Sequence, residues 1–154
     1  MTKQELRKQI RDEIKRLSDA DRDTQSLFVC LQILGTAEWQ QARTVMLYDA
    51  LSDEVSLQLL IDDARGSGKE LIIPDQSASA PVIPDEVLTE VDLAIIPGRA
   101  FTRNGKRMGR GGGWYDRILP KMKCPRWGVA FNCQIKKEVP TDEWDVKMNK
   151  VVTA

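Results

Sequence analysis

The sequence predicts an α/β domain in three Rossmann-like layers, with a mostly parallel sheet covered by helices on both faces. Three observations lead there. Five short apolar runs rich in branched residues recur between residues 44 and 153. Segments with helical spacing separate several of them, and two amphipathic helical stretches precede the first. Strands that are apolar on both sides and alternate with helices mark a buried parallel sheet. A chain of 154 residues can bury one such core without staples, so residues 1–154 are read as a single domain.

In chain order, Leu6, Ile10, Ile14 and Leu17 fall on one face of a first helix. Thr2 and Glu5 have capping-box spacing, in which each side chain satisfies the other residue's backbone amide. A second helix is expected from about Ala20 to Leu34, with Leu27, Leu31 and Leu34 on one side and Gly35 as its stop. "TVMLY" at 44–48 reads as the first strand, and helical spacing returns from Val55 to Ala64. "ELIIP" at 70–74 is the next strand, followed by the polar, proline-bearing loop "PDQSASAPVIPDE" at 74–86. "VDLAIIP" (91–97), "RWGVAF" (126–131) and "KVVT" (150–153) complete the sheet, and "WYDRIL" (114–119) opens a further helix. There is no internal repeat.

Composition narrows the chemistry. Lys plus Arg and Asp plus Glu both number 23, so no whole-molecule field recruits nucleic acid or anionic membrane. Histidine is absent, which rules out Ser-His-Asp and Cys-His nucleophiles and the HExxH metalloprotease. Cys30, Cys124 and Cys133 are odd in number and lack CxxC spacing, which points to free, buried thiols in a reducing compartment. The N-terminus has no apolar signal-peptide core and no segment reaches membrane-spanning length, so the expectation is a cytoplasmic protein with no membrane partner.

Against that even charge, residues 97–113 stand out. They hold five cations (Arg99, Arg103, Lys106, Arg107, Arg110), no acid, and six of the ten glycines. Glycines let successive amides turn toward one point, and the following segment supplies unpaired amides at its start. A phosphate there would meet amides, a helix end and the fork of Arg110. A flexible surface turn with solvated charges is the competing reading. The stretch is neither a Walker A loop nor GxGxxG, because no Gly-Lys-Ser/Thr occurs and Trp114 stands at the last glycine position. A nucleic-acid surface is disfavoured, since the loop is short and its aromatics form no stacking platform.

"PGRAFTRNGKRMGRGGGWYDRIL" (97–119) closely resembles the signature of the 5-formyltetrahydrofolate cyclo-ligase family, the methenyltetrahydrofolate synthetases. The likeness runs along most of the chain. "KQELR" (3–7) looks like the family's Lys-x-x-Leu-Arg, and Ser26 falls where a serine is usual in helix two. "SDEVSL" (52–57) is similar to its Glu-containing turn, and "VPTDEWDVKMNKVVT" (139–153) to its closing segment.

The resemblance implies a Rossmann-like α/β fold and an ATP- and Mg²⁺-dependent cyclisation of 5-formyltetrahydrofolate to 5,10-methenyltetrahydrofolate, with release of ADP and phosphate. Phosphoryl transfer needs positioning and charge neutralisation more than a protein nucleophile, so a chain without histidine can perform it. Carried over residue by residue, Lys3 and Arg7 would reach the nucleotide phosphates; by charge alone they would be a solvated helix face. Arg107, Gly109, Arg110, Gly111, Gly112, Gly113, Trp114 and Tyr115 would form the nucleotide cradle, with Arg110 and Lys3 in the catalytic role. Asp116 and Asp145 would be the Mg²⁺ ligands, two carboxylates sufficing when phosphate oxygens and water complete the set. Glu54 would contact the reduced folate, with Asp49 beside it. Trp114 takes the place of the first of two tyrosines, keeping a flat face and losing a hydroxyl.

Three features depart from the family pattern. Residues 75–90 are shorter than usual and carry no aromatic, Trp144 replaces a polar residue before Asp145, and Asp49 replaces an apolar or small one. The nucleotide half is thus well kept and the folate half thinned. Two other functions therefore stay open: a noncatalytic nucleotide- or folate-binding protein, and an ATP-dependent enzyme acting on another small formyl or amide compound. A homo-oligomer that completes the pocket is compatible with the same residues.

Overall fold

The computed structural model describes residues 1–77, 82–143 and 145–154. It contains a five-stranded, wholly parallel sheet between two helical layers. The strands are β1 (Thr44–Met46), β2 (Glu70–Ile72), β3 (Leu93–Ile96), then, after the hairpin β4 (Ala100–Phe101) and β5 (Arg107–Met108), β6 (Arg126–Val129) and β7 (Lys150–Val152). Their order across the sheet is β2-β1-β3-β6-β7, with every neighbouring pair parallel. From β1 the chain steps outward to β2 and then back past β1 to β3. Such a reversal opens a crevice at the carboxyl ends of β1 and β3, where open α/β sheets take their ligands.

One layer contains α1 (Lys3–Lys15), α2 (Asp19–Leu34), α3 (Ala37–Gln41) and α4 (Gln58–Gly66). Leu6, Ile10, Ile14, Val29, Ile33, Leu60 and Ile61 pack there with Leu93 and Ile95 of β3. The alternate residues of that strand, Ala94 and Ile96, face the second core with Leu88, Tyr115, Ile118 and Leu119. All four residues of β3 are buried, as a central strand covered on both faces requires. The second layer is thin: α5 (Asp85–Glu90) and two single 3₁₀ turns, Tyr115–Arg117 and Leu119–Lys121.

The capping box at Thr2 is present, with Glu5 N donating to Thr2 Oγ1 at 3.1 Å and Thr2 N to Glu5 Oε2 at 3.0 Å. The second helix ends at Gly35. Its core face differs from expectation: Ser26, Val29, Cys30 and Ile33 are buried, whereas Leu27 and Leu31 are about half exposed. An apolar spacing of four fits two faces of this helix, and the packing of α4 and β7 selects the other one. The expected helix from Val55 begins at Gln58, because Val55 turns inward to receive the Tyr48 hydroxyl on its carbonyl at 2.7 Å. "WYDRIL" does not form a continuous helix. It breaks into the two 3₁₀ turns, with Pro120 in the second unable to donate a helical bond. Of the loop expected at 74–86, residues 78–81 lie outside the described residues, and its last two positions are helical, because α5 starts at Asp85 just after Pro84. The hairpin β4–β5 and α3 are too short to leave a periodic signal.

Candidate functional site

The loops that leave β1 and β3 line a cavity of about 620 Å³. After β1 the backbone turns back on itself. Buried Tyr48 closes this turn through its bond to Val55, and Leu51 N donates to Glu54 Oε1 at 2.9 Å. Burial first, and the charge of Glu54 next, push the Tyr48 hydroxyl well above its ordinary range, so it stays a donor. The turn thereby presents Glu54 to the cavity and holds Asp53 behind it. Asp49 is not part of this display. It is exposed and does not line the cavity, because it lies past the end of β1, where the sheet and its helices no longer cover the chain.

After β3, the hairpin β4–β5 returns the chain so that residues 107–113 pass over the strand ends. Arg107 is buried, donating from Nε to the Pro97 carbonyl at 2.7 Å, with Asp116 3.7 Å from its guanidinium and the Tyr115 ring 5.2 Å below. Burial disfavours its charge, while Asp116 foremost and Tyr115 next favour it. Arg110 binds the Asp53 carboxylate and lies 3.5 Å from Glu54 through Nε. Burial raises the Asp53 carboxyl, but Arg99 and then Arg110 outweigh it and hold the group below its ordinary 3.8.

The first helix closes the third side. Lys3 meets Asp142 at 2.8 Å, and Arg7 Nε donates to the Gly109 carbonyl at 3.0 Å. Gly111 has φ +117, a conformation that side chains rarely adopt, and a Cβ there would press within 3.4 Å of the Arg7 guanidinium. The glycine run therefore serves backbone shape and close approach together. No long helix follows it, so the anion-binding groups this turn offers are its amides and arginines, facing a lining that also holds Glu54, Asp116, Asp142 and Asp145.

Lys3, Arg7, Glu54, Arg107, Gly109, Arg110, Gly111, Gly112, Gly113, Trp114, Tyr115, Asp116 and Asp145 all line this cavity. The indole of Trp114 meets the Tyr115 ring edge-on, with centroids 5.0 Å apart. Burial raises the Tyr115 hydroxyl far above its usual range, and it accepts a 3.0 Å bond from Gln76 Nε2. Asp145 accepts from Asp142 N at 2.6 Å. Among the described residues, no group of three or more His, Cys, Asp or Glu side chains could hold a metal ion on its own. Trp144 lies outside the described residues.

Four residues near the site escaped the sequence reading. Asp53, adjacent to Glu54, could have been suspected from that pair, and Asp142 from its spacing of three before Asp145. Arg99, noted only as one cation among five, proves to be the buried partner of Asp53 at 2.7 Å. Gln76, within the short 75–90 segment, carries no local signal at all. The cysteines are free; Cys30 and Cys124 are buried and Cys133 half-buried, and burial raises the Cys30 thiol to about 11. Among the described residues, no helix is long and apolar enough to cross a membrane.

Comparison with known proteins agrees with this fold. A 5-formyltetrahydrofolate cyclo-ligase of Mus musculus is 26% identical over 187 aligned positions, covering 97% of this chain and 92% of the relative. Another, of Haemophilus influenzae, is 27% identical and covers 92% and 94%. Among solved structures, the 5,10-methenyltetrahydrofolate synthetase of Aquifex aeolicus superposes with a TM-score of 0.83 at 29% identity, covering 99% of this chain and 89% of that one. The Mycoplasma pneumoniae synthetase shares the fold with a TM-score of 0.85 at 22% identity, covering 99% of both. The model of the 5-formyltetrahydrofolate cyclo-ligase family matches residues 1–84 and 76–154, two stretches that meet inside the short 75–90 segment. Together they span the chain, and the cations of α1 fall in one and the glycine turn in the other. By sequence, fold and the cavity those two stretches form together, the chain belongs to the 5-formyltetrahydrofolate cyclo-ligase family, a family of enzymes.

Proposed function

We propose that the cavity binds ATP with Mg²⁺ beside 5-formyltetrahydrofolate and closes the folate ring to 5,10-methenyltetrahydrofolate, releasing ADP and phosphate. One observation carries the reading. In a protein with no net charge, Lys3 and Arg7 from α1 converge with Arg107 and Arg110 on a single glycine-lined cavity. That is a phosphate-binding donor set: point charges, forks and unobstructed amides.

In the proposed reaction the γ-phosphoryl group passes to the formyl oxygen as the bond to ADP breaks. N10 of the folate then attacks the activated carbon and loses its proton, and phosphate departs with the former formyl oxygen. Arg110 and Lys3 would neutralise the oxygens of the transferring group, and Arg7 and Arg107 would hold the remaining phosphates. Glu54 would accept hydrogen bonds from the pterin donors, and Trp114 offers a flat face for a ring. The two carboxylates Asp116 and Asp145, both at the cavity wall, fit magnesium, which takes few protein ligands beside phosphate oxygens. When bound, that ion would offset phosphate charge.

The test is incubation with Mg-ATP and 5-formyltetrahydrofolate, following the methenyl chromophore in the near ultraviolet alongside ADP. Equal amounts of both are expected. Nucleotide binding without either product would mark a noncatalytic binder. ADP without the chromophore would mark another acceptor substrate. Two variants probe the assignments further. Arg110→Ala should weaken ATP binding about tenfold or more, read by calorimetric titration, and an unchanged affinity would remove the glycine turn from the site. Asp116→Asn should abolish the magnesium dependence of ATP binding; full retained dependence would contradict the metal assignment.

A further inference from the structure

Arg110 lines the cavity, but the carboxylate that holds it does not. Asp53 stands behind it. One oxygen of Asp53 accepts from Arg110 Nη2, and the other accepts from Arg99 Nη1 at 2.7 Å. Arg99 is only 9% exposed and also stays out of the cavity. Its own backbone is fixed at both ends, its N donating to the Met108 carbonyl at 2.7 Å and its carbonyl accepting from Gln134 Nε2 at 3.1 Å. The turn bearing Asp53 is closed by the Tyr48 bond to Val55. Asp53 is thus anchored from two directions.

Arg110 needs such an anchor. Its neighbours are Gly109 and Gly111, so the local chain offers no side chains against which a long arginine could order its rotamer. Glu54 is placed differently: it reaches Arg110 at 3.5 Å but itself lines the cavity, where a ligand would meet it directly. We infer that Asp53 is a positioning residue, which clamps Arg110 in the cavity through an Arg99–Asp53–Arg110 tie between the loops after β1 and β3. The inference rests on the proposed reading that Arg110 meets the nucleotide phosphates. It assigns Asp53 no contact with substrate.

A double-mutant cycle tests it, with Mg-ATP affinity measured by calorimetric titration for the full chain, Asp53→Asn, Arg110→Ala and the double variant. Asp53→Asn should weaken ATP binding about tenfold, the loss expected when a charged first-contact residue loses its support. With Arg110→Ala already present, the same change should cost less than about twofold, because its effect passes through Arg110. An equal loss in both backgrounds would mean general loosening of the turn and would overturn the inference. So would unchanged or tighter binding by Asp53→Asn alone, which would make the carboxylate a competitor for Arg110. If Arg110→Ala leaves ATP affinity intact, the phosphate reading itself fails and the inference goes with it. Should Asp53→Asn not fold, Asp53→Glu retains the charge but shifts it by a methylene, and the cycle built on it is read in the same way, with about a threefold loss expected.

Discussion

Replacing Gly105 by alanine is expected to lower the unfolding midpoint by about 10 °C, a loss of about 3 kcal/mol for a chain of this length. Two costs combine. Gly105 has φ +101, and a Cβ there would stand 2.2 Å from the Met148 carbonyl oxygen. The collision is with backbone, so no rotamer change relieves it. Nor can the turn shift freely, since the Gly105 carbonyl accepts from Met148 N at 2.8 Å and its N donates to the Thr102 carbonyl at 3.1 Å. The strand of chain pushed away carries Asp142 and Asp145 at the cavity wall, so Lys3 should lose its partner as well. Gly112→Ala is the control. A Cβ there meets nothing within 4 Å and φ is ordinary, so its midpoint should stay within about 2 °C of the parent. Equal shifts for the two variants in a calorimetric scan would show that the Gly105–Met148 contact yields without cost.

Arg107→Met should lower ATP affinity about a hundredfold while moving the unfolding midpoint by no more than about 5 °C. The disparity follows from where the guanidinium sits. It is buried, and burial opposes its charge, although arginine keeps that charge at neutral pH. Methionine removes the bond to Pro97 and the attraction to Asp116, but it also removes a desolvated cation and leaves an apolar chain of similar length in its place. These changes oppose one another in stability. Nothing would offset the loss in the proposed phosphate binding, where the charge is needed. Titration with Mg-ATP beside a thermal scan checks both halves. A loss of affinity below about fivefold would make Arg107 a structural residue of the hairpin.

The candidate site was legible wherever its residues lie in a contiguous stretch. Glycines, arginines and an acid between Arg107 and Asp116 raise the expectation of an anion cradle within ten positions, and the structure brings these residues together in one cavity wall. The Thr2–Glu5 capping box likewise needs only three residues of spacing, and it formed. Contacts that join distant segments left no such trace. Asp53 meets Arg110 across 57 positions and Lys3 meets Asp142 across 139, so neither pair has a local pattern to read. The second helix shows the same limit in another form. Leu27 and Leu31 have the right period for a core face, yet they remain about half exposed, because only the arriving α4 and β7 could decide between two apolar stripes.

Alternation of branched runs with helical segments was enough to settle a parallel sheet, since a strand buried on both faces can tolerate no polar side. The composition alone was also enough to remove histidine-based catalysis, for the residue does not occur. What the folded chain decided was convergence. Strand order β2-β1-β3-β6-β7 places the loops after β1 and β3 on either side of one crevice, and the hairpin turns the glycine run back over it. Side-chain chemistry can be read from neighbouring residues, but distances between remote ones arise only when the sheet pairs its strands, and the electrostatics of this cavity depend on those distances.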